Sequence, residues 1–366
     1  MAVIVSGNPV EKNNAINLRE IEARQRKLDS TPKYITIGAH YACNANCVFC
    51  LGGDFSPFSL ARYKEFFEIK LCLVLQKATN VGFCGFGEVL LMPEILDFLD
   101  YINEKLPLQC KTFTTNGTPL HKDICDKFGE GNYAILISLH AANRELHQHL
   151  TKLKNFDLII ENIKRLVDVK RKRNPKMEIN LIFLLTTLNI DNLPDFVKLG
   201  HELGVNKVTC SYLTIFLPKH IRMSCFFEKE KTNAIFDRAE EIAGKLGVTL
   251  LLPPRFGNRD EKISCRDPWE FFYVENQGSV LPCCFAGEHI GYLNKQEFEE
   301  IWNGKGYLEL REGLITENPH AWCRHCYKYK PSNVNDIGSH INFRPNTRRK
   351  IIEYLEKNKG EFGNVK

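Results

Sequence analysis

Cys43, Cys47 and Cys50 put three thiols inside the run Cys43-Asn44-Ala45-Asn46-Cys47-Val48-Phe49-Cys50, at a C-x₃-C-x₂-C spacing. Thiolates this close are soft ligands that can share one metal centre. A closed structural zinc or iron–sulfur site takes four protein ligands. Three thiolates instead leave one iron of a [4Fe–4S] cluster with an open position for a small molecule. Half of a zinc site is the rival reading of the loop taken alone.

A second set of thiols lies near the other end. Cys265-x₁₇-Cys283 is followed by Cys323-x₂-Cys326, four sulfur ligands from a hairpin and a closing knuckle. Their spacing alone leaves a Cys₄ zinc knuckle and a closed iron–sulfur cluster both open. Cys284 competes with Cys283 for the ligand role, because alternation along a strand sends neighbours to opposite faces. Cys72, Cys84, Cys110, Cys125, Cys210 and Cys225 read as small buried hydrophobes.

The chain of 366 residues carries 14 Cys in all, and its first residues, MAVIVSGNPVEKNN, show no basic segment followed by a long apolar one. Metal clusters and free thiols therefore explain the cysteines better than disulfides, and a cytoplasmic location is expected. No apolar run approaches the roughly 18–20 residues needed to span a bilayer, so no membrane partner is expected. A net charge of +5 spread along the chain gives no reason to expect nucleic acid.

Between the two cysteine groups, short β-rich runs alternate with amphipathic stretches, the pattern of βα units on a parallel sheet. Strands are expected at Tyr34–His40, Asn80–Phe86, Lys111–Thr115, Ala134–His140, Glu178–Leu185 and Lys207–Tyr212. Helices are expected at Ile16–Leu28, Glu65–Lys77, Pro93–Lys105, Asn155–Lys172, Leu193–Leu203 (capped within Asn189–Asn192) and Glu228–Leu246. A short strand follows at Thr249–Pro254. A hairpin of Trp269–Glu275 and Val280–Phe285, turning at Asn276–Ser279, carries Cys283 and Cys284. Helices close the segment at Glu297–Gly304 and Tyr307–Leu314. Residues 345–358 read as a basic stretch ending in a helix, and the last eight residues as disordered. Six strands in order make an α/β protein, a partial (β/α)₆ TIM barrel, whose chemistry belongs at the C-terminal strand ends.

Several strand ends carry polar or small residues. Gly85-Phe86-Gly87-Glu88 follows the second strand: small residues admit a ligand close to the backbone, and Glu88 offers an acceptor for an ammonium. A plain turn is the rival reading. Thr114-Thr115-Asn116-Gly117 is an Asn-Gly turn after the third strand. Ser138 and His140 end the fourth strand, and His140 reads equally as a structural histidine or a substrate contact. Asn180 is a polar residue among apolar neighbours on the fifth strand. Thr187, Asn189 and Tyr212 are weaker candidates.

The three-Cys loop, with Phe49 before its last Cys, resembles the signature of the radical S-adenosylmethionine (AdoMet) superfamily. That resemblance implies an open iron that chelates AdoMet and, on reduction, cleaves it to a 5′-deoxyadenosyl radical, with Phe49 near the adenine. Gly85, Gly87 and Glu88 resemble the family's Gly-Gly-Glu-Pro motif for the AdoMet amino group, although Phe86 and Val89 depart from it. By the same resemblance Asn116 lines the active-site mouth, Ser138 bonds the AdoMet carboxylate, and Asn180 and Tyr212 join the cofactor contacts. The later thiols, with Gly278-x-Val280-x-Pro282-Cys283-Cys284, Gly291-x-Leu293 and Ile301-Trp302-Asn303, resemble the SPASM extension in its twitch form. This implies one auxiliary [4Fe–4S] cluster on Cys265, Cys283, Cys323 and Cys326.

The expected organisation is an N-terminal extension (1–30), the radical AdoMet barrel (31–225), a connecting helix and strand (226–260), a small β-hairpin-plus-helix iron–sulfur SPASM/twitch domain (261–335) and a basic C-terminal tail (336–366). The expected function is abstraction of a substrate hydrogen atom by the deoxyadenosyl radical, followed by oxidation or cross-linking assisted by the auxiliary cluster. Two alternatives stand beside it. One is a radical epimerase with Cys284 as hydrogen donor. The other is a non-catalytic electron-transfer or scaffold protein with two metal sites. Expected partners are a sugar- or aminocyclitol-like small molecule or a peptide, and a low-potential donor such as flavodoxin or ferredoxin.

Overall fold

The computed structural model describes residues 7–38, 42–51, 59–263, 265–275 and 277–362. Ten strands form one sheet: β1 Tyr34–Gly38, β2 Asn80–Cys84, β3 Cys110–Thr115, β4 Tyr133–Ser138, β5 Glu178–Leu185, β6 Lys207–Tyr212, β7 Thr249–Leu251, β8 Phe271–Val274, β9 Ser279–Leu281 and β10 Gly291–Tyr292. Their order is β10-β9-β8-β1-β2-β3-β4-β5-β6-β7. Strands β1 to β7 pair in parallel succession, as βα units require.

One register row shows why these segments become strands. Val274, Ile37, Phe83, Phe113, Ile135 and Ile179 lie side by side across β8 and β1 to β5, and all are fully buried. Phe83 packs on Phe98 at 5.2 Å and Phe113 on Phe128 at 5.5 Å between ring centroids. These partners belong to the helices Ile95–Lys105 and Lys122–Phe128. Burying each such ring contributes roughly 1.5–3 kcal/mol. The next row is small or polar: Thr36, Gly82, Thr112 and Ala134. The sheet is thus heavy on its helical side and light on the other.

The expected helix Glu65–Lys77 is broken into Leu60–Glu65, a π turn at Phe66–Lys70 and Cys72–Leu75. Tyr63, Phe67, Leu71 and Leu75 are all buried at a strict four-residue spacing, slower than the 3.6 of an α-helix. The wider π turn absorbs the difference. The expected cap within Asn189–Asn192 is also corrected. Asn192 Oδ1 instead accepts the Ala142 N–H at 2.6 Å, so this side chain holds the loop after β4.

Two terminal expectations change. The first helix runs Pro9–Glu22, not Ile16–Leu28, because Asn8 and Glu11 form a reciprocal capping box. The segment after it is stapled to the C-terminal half. Trp302 Nε1 donates to Ser30 O, Trp269 Nε1 to Gln25 O, and Asn303 Nδ2 to Leu28 O, each at 2.8 Å. At the other end, the expected tail is built into the body. Ile337, Ser339, Ile341 and Phe343 are buried. Ile341 bridges Ile215 beyond the end of β6. The helix Pro345–Lys357 follows as expected, and a helical turn at Lys359–Phe362 stands where disorder was expected, while 363–366 lie outside the described residues.

The hairpin differs in its partner. Residues 267–270 turn as a short helix before β8, and β8 then joins β1 in parallel at the edge of the sheet. Among the described strands only the pairs β8–β9, which form the expected hairpin, and β9–β10 are antiparallel. Asn276 of the expected turn and residues 39–40 of the expected first strand lie outside the described residues. Among the described residues no helix is long and apolar enough to cross a membrane.

Candidate functional site

A cavity of about 310 Å³ opens at the C-terminal strand ends, lined by Cys43, Cys47, Phe49, Cys50, Gly85–Glu88, Asn116, Ser138 and His140. The three-Cys loop is laced down by backbone bonds. Asn46 N–H donates to Thr151 O at 3.0 Å and Val48 N–H to Leu150 O at 2.8 Å. Asn44 adds a side-chain tie. Its Nδ2 donates to Thr118 Oγ1, and its Oδ1 accepts from Asn116 Nδ2, both at 2.8 Å. Nothing in the sequence marks Asn44, an ordinary spacer between two cysteines.

Glu88 is buried at 1% exposure, and each carboxylate oxygen already takes a backbone donor. Oε1 accepts from Leu90 at 3.2 Å and Oε2 from Asn116 at 2.6 Å. Burial raises its pKa to about 7 despite those bonds. Gly87 sits at φ +119°, a backbone region that a side chain rarely tolerates. His140 is held at φ +61° with its carbonyl accepting from Asn189 Nδ2 at 3.0 Å. Its Nδ1 accepts the Leu184 N–H at 3.1 Å. That bond assigns the neutral ring's proton to Nε2, and burial drives the pKa down to about 3. The ring meets Phe49 edge-on, centroids 5.1 Å apart.

Asn180 lies elsewhere. It is buried near the start of β5, opposite Leu136 and Lys207, with its Oδ1 unpartnered. The cavity at the other end of the strand does not include it. Tyr212 is absent from this cavity too; its hydroxyl donates to Pro254 O at 3.0 Å. Thr187 bonds Arg222 O.

Tyr212 lines a second cavity of about 300 Å³, which shares Phe49 and Phe216 with the first as a party wall. Cys284 opens into it, together with Ser211, Thr214, Ser339 and Asn342. Cys284 is solvent-exposed, at a concave mouth where surrounding protein still raises its pKa. Cys84 at the end of β2 is half-buried, and burial raises its thiol to about 12.

The thiols fall into two groups of the soft donor type that iron–sulfur clusters take. Burial raises Cys47 to about 12, with Cys50 and Cys43 adding to the rise. Cys265, Cys283, Cys323 and Cys326 are linked in the same way through Cys323. Yet among the described residues no three His, Cys, Asp or Glu side chains are close enough to share one ion. Iron would displace protons from such high-pKa thiols.

Over residues 39–200 the sequence matches the Radical SAM superfamily, and over 265–327 the iron-sulfur cluster-binding SPASM domain. The chain carries a radical SAM domain followed by a C-terminal SPASM domain. Its cofactors are accordingly a [4Fe–4S] cluster that binds S-adenosylmethionine, the nucleoside itself, and auxiliary iron–sulfur binding in the SPASM domain. A probable GTP 3′,8-cyclase of Saccharolobus islandicus is 27% identical over 211 residues, 56% of this chain and 64% of that protein. A GTP 3′,8-cyclase of Chlorobaculum tepidum is 26% identical over 175 residues, 47% of this chain and 51% of that one. The match thus spans less than two thirds of these relatives. Two solved structures share the fold. Streptococcus suis SuiB bound to S-adenosylmethionine has a TM-score of 0.63 at 15% identity, covering 91% of this chain and 78% of that one. Native anSMEcpe with bound AdoMet has 0.61 at 16%, covering 91% and 100%.

Proposed function

We propose that this radical SAM enzyme abstracts a hydrogen atom from a substrate carbon held in the second cavity, and that the substrate leaves oxidised. The observation that carries the reading is the party wall. Phe49 and Phe216 separate a cavity holding Cys43, Cys47, Cys50 and Glu88 from one holding Cys284. A cluster on Cys43, Cys47 and Cys50 supplies the electron that cleaves S-adenosylmethionine to a 5′-deoxyadenosyl radical. Gly85, Gly87, Glu88, Asn116 and Ser138 hold the nucleoside's polar groups, and Phe49 packs against its base. The Phe wall and residues 339–343 line the second chamber from two sides.

In the proposed division, 31–225 is the barrel and 261–335 is the small domain, where Cys265, Cys283, Cys323 and Cys326 would hold one auxiliary [4Fe–4S] cluster able to take up the remaining electron. Cys283 fits the ligand role better than Cys284, since Cys283 is half-buried while Cys284 is exposed and lines the second chamber. That exposed thiol favours one second reading, hydrogen return from Cys284 to give an epimer.

The chamber lining contains Ser211, Thr214, Cys284, Ser339 and Asn342 but no Lys, Arg, Asp, Glu or His among the described residues. Ser339 Oγ is buried without a hydrogen-bond partner. A nucleoside triphosphate would find no countercharge there. A hydroxylated small molecule, such as a sugar or aminocyclitol, or a peptide segment fits better, despite the GTP cyclase names of the relatives.

The test is anaerobic. Reconstituted protein should bind about eight irons and release 5′-deoxyadenosine with S-adenosylmethionine and dithionite. Deuterium from the true substrate should appear in that product. Fully loaded protein that forms no deoxyadenosine would overturn the enzyme reading. Replacing Cys284 with Ala should spare oxidation; a block after radical formation would favour the epimerase.

A further inference from the structure

Cys265 reaches the surface in two clefts at once. In a cleft of about 430 Å³ it is joined by Arg266, Asp267 and Lys328. There the charges are matched: Lys328 pairs with Asp267 at 3.1 Å and Lys33 with Glu270 at 2.8 Å. The neighbouring cleft, about 390 Å³, is different. Arg24, Lys262 and Arg266 line it against a single acidic group, Glu317. All three cations are exposed, and none makes an ion pair among the described residues.

These cations come from opposite ends of the chain. Lys262 and Arg266 flank Cys265. Arg24 is brought over them by the turn after the first helix, where it adopts φ +50°. The next residue, Gln25, is fixed by the indole of Trp269 donating to its carbonyl at 2.8 Å. A fixed, uncompensated positive rim around a half-exposed sulfur steers an acidic protein surface towards that sulfur.

We propose that this cleft is the docking surface for an acidic one-electron carrier protein that exchanges electrons with the auxiliary cluster. The inference rests on Cys265 being a cluster ligand. Each exchange moves one electron between the carrier and the cluster. The carrier that takes the electron left by substrate oxidation is reduced as the cluster is oxidised, and no bond is made or broken. Microscopic reversibility lets the reverse transfer report on the same contact.

The probe is flavodoxin, with the cluster-loaded full chain. Stopped-flow absorbance follows cluster reduction by photoreduced flavodoxin, and a titration measures binding of the oxidised form. Wild-type binding should weaken as salt rises, because exposed charges are screened. The Arg24→Glu, Lys262→Glu double variant should bind and exchange electrons about tenfold less well. Its iron content and reduction by dithionite should stay unchanged. A fully loaded variant that binds flavodoxin as well as wild type, or wild-type exchange indifferent to salt, overturns the proposal. Should the variant lose iron, poly-glutamate is tested against the wild type: competition with flavodoxin supports the surface and its absence overturns it. Iron content of Cys265→Ala tests the underlying ligand assignment separately, since full iron there would remove the cluster ligand without touching the binding result.

Discussion

Glu88 and Asn116, 28 residues apart in the chain, meet where the Asn116 backbone N–H donates to Glu88 Oε2 at 2.6 Å. One buried carboxylate thereby ties the end of β2 to the end of β3 beneath the three-Cys loop. The same carboxyl has its pKa raised to about 7 by burial. The ammonium of S-adenosylmethionine attracts only the ionised form. Affinity for the nucleoside should therefore fall as pH drops through 7, where Glu88 takes up a proton, and rise above it. Glu88→Gln should bind more weakly with that pH dependence gone. Equilibrium titrations on either side of neutrality check this, and an unchanged slope in the variant would count against the contact.

Asn44 joins the cysteine loop to Asn116 and Thr118. Asn44→Ala removes two hydrogen bonds at a half-open site, each with a net value of about 1 kcal/mol. The fold should survive. The expected loss is selective: less iron at the Cys43–Cys50 site, with the auxiliary site intact. Electron paramagnetic resonance resolves the two, and equal loss from both would argue for a general stability effect.

Among the described residues four histidines are buried and neutral. Burial lowers His140 to about 3, and His147, His220 and His340 to about 4. Unfolded, each has a pKa of about 6.5, so below that value the unfolded chain binds more protons. The stability these groups contribute is present above 6.5 and is lost as pH falls from there towards 4. At pH 5 the loss should be about 2 kcal/mol for each histidine. Urea midpoints measured from neutral to acidic pH give the slope. Protonating His140 also removes the acceptor for the Leu184 N–H.

Arg311 is fully buried and spends its guanidinium on three carbonyl-type acceptors. Nε donates to Pro268 O, and Nη1 to Arg26 O and Asn303 Oδ1. The group lies over Trp302 at 4.5 Å and Tyr307 at 5.1 Å. Arg311→Ala should destabilise the protein by about 3 kcal/mol, because buried carbonyls lose their donors and two rings lose a neighbour. Protease should then cut first between the N-terminal helix and β1, the segment Arg311 pins. Thermal melts and mapped cleavage sites check both parts.

The sequence by itself determined the chemistry of the cysteines and the frame that presents them. Three thiols in eight residues cannot be far apart in any fold, and alternating strand and helix patterns carry their own local physics. Strands β5 and β6 and the helix Leu193–Leu203 follow from apolar periodicity alone. What failed locally was whatever depends on a remote partner. Asn180 is polar on an apolar strand, but which end of the strand it occupies relative to the site is a matter of register. The break at Phe66–Lys70 answers the spacing of buried residues against the sheet. The basic tail reads as solvated until Ile341 is seen against Ile215. Only the tertiary structure decided that Phe49 and Phe216 divide two chambers, that Asn44 meets Asn116, that β8 docks on β1, and that Arg24 crosses to the thiol at Cys265. Each joins residues distant along the chain. Their contact energy exists only once the whole sheet has closed that distance, and no local pattern encodes it.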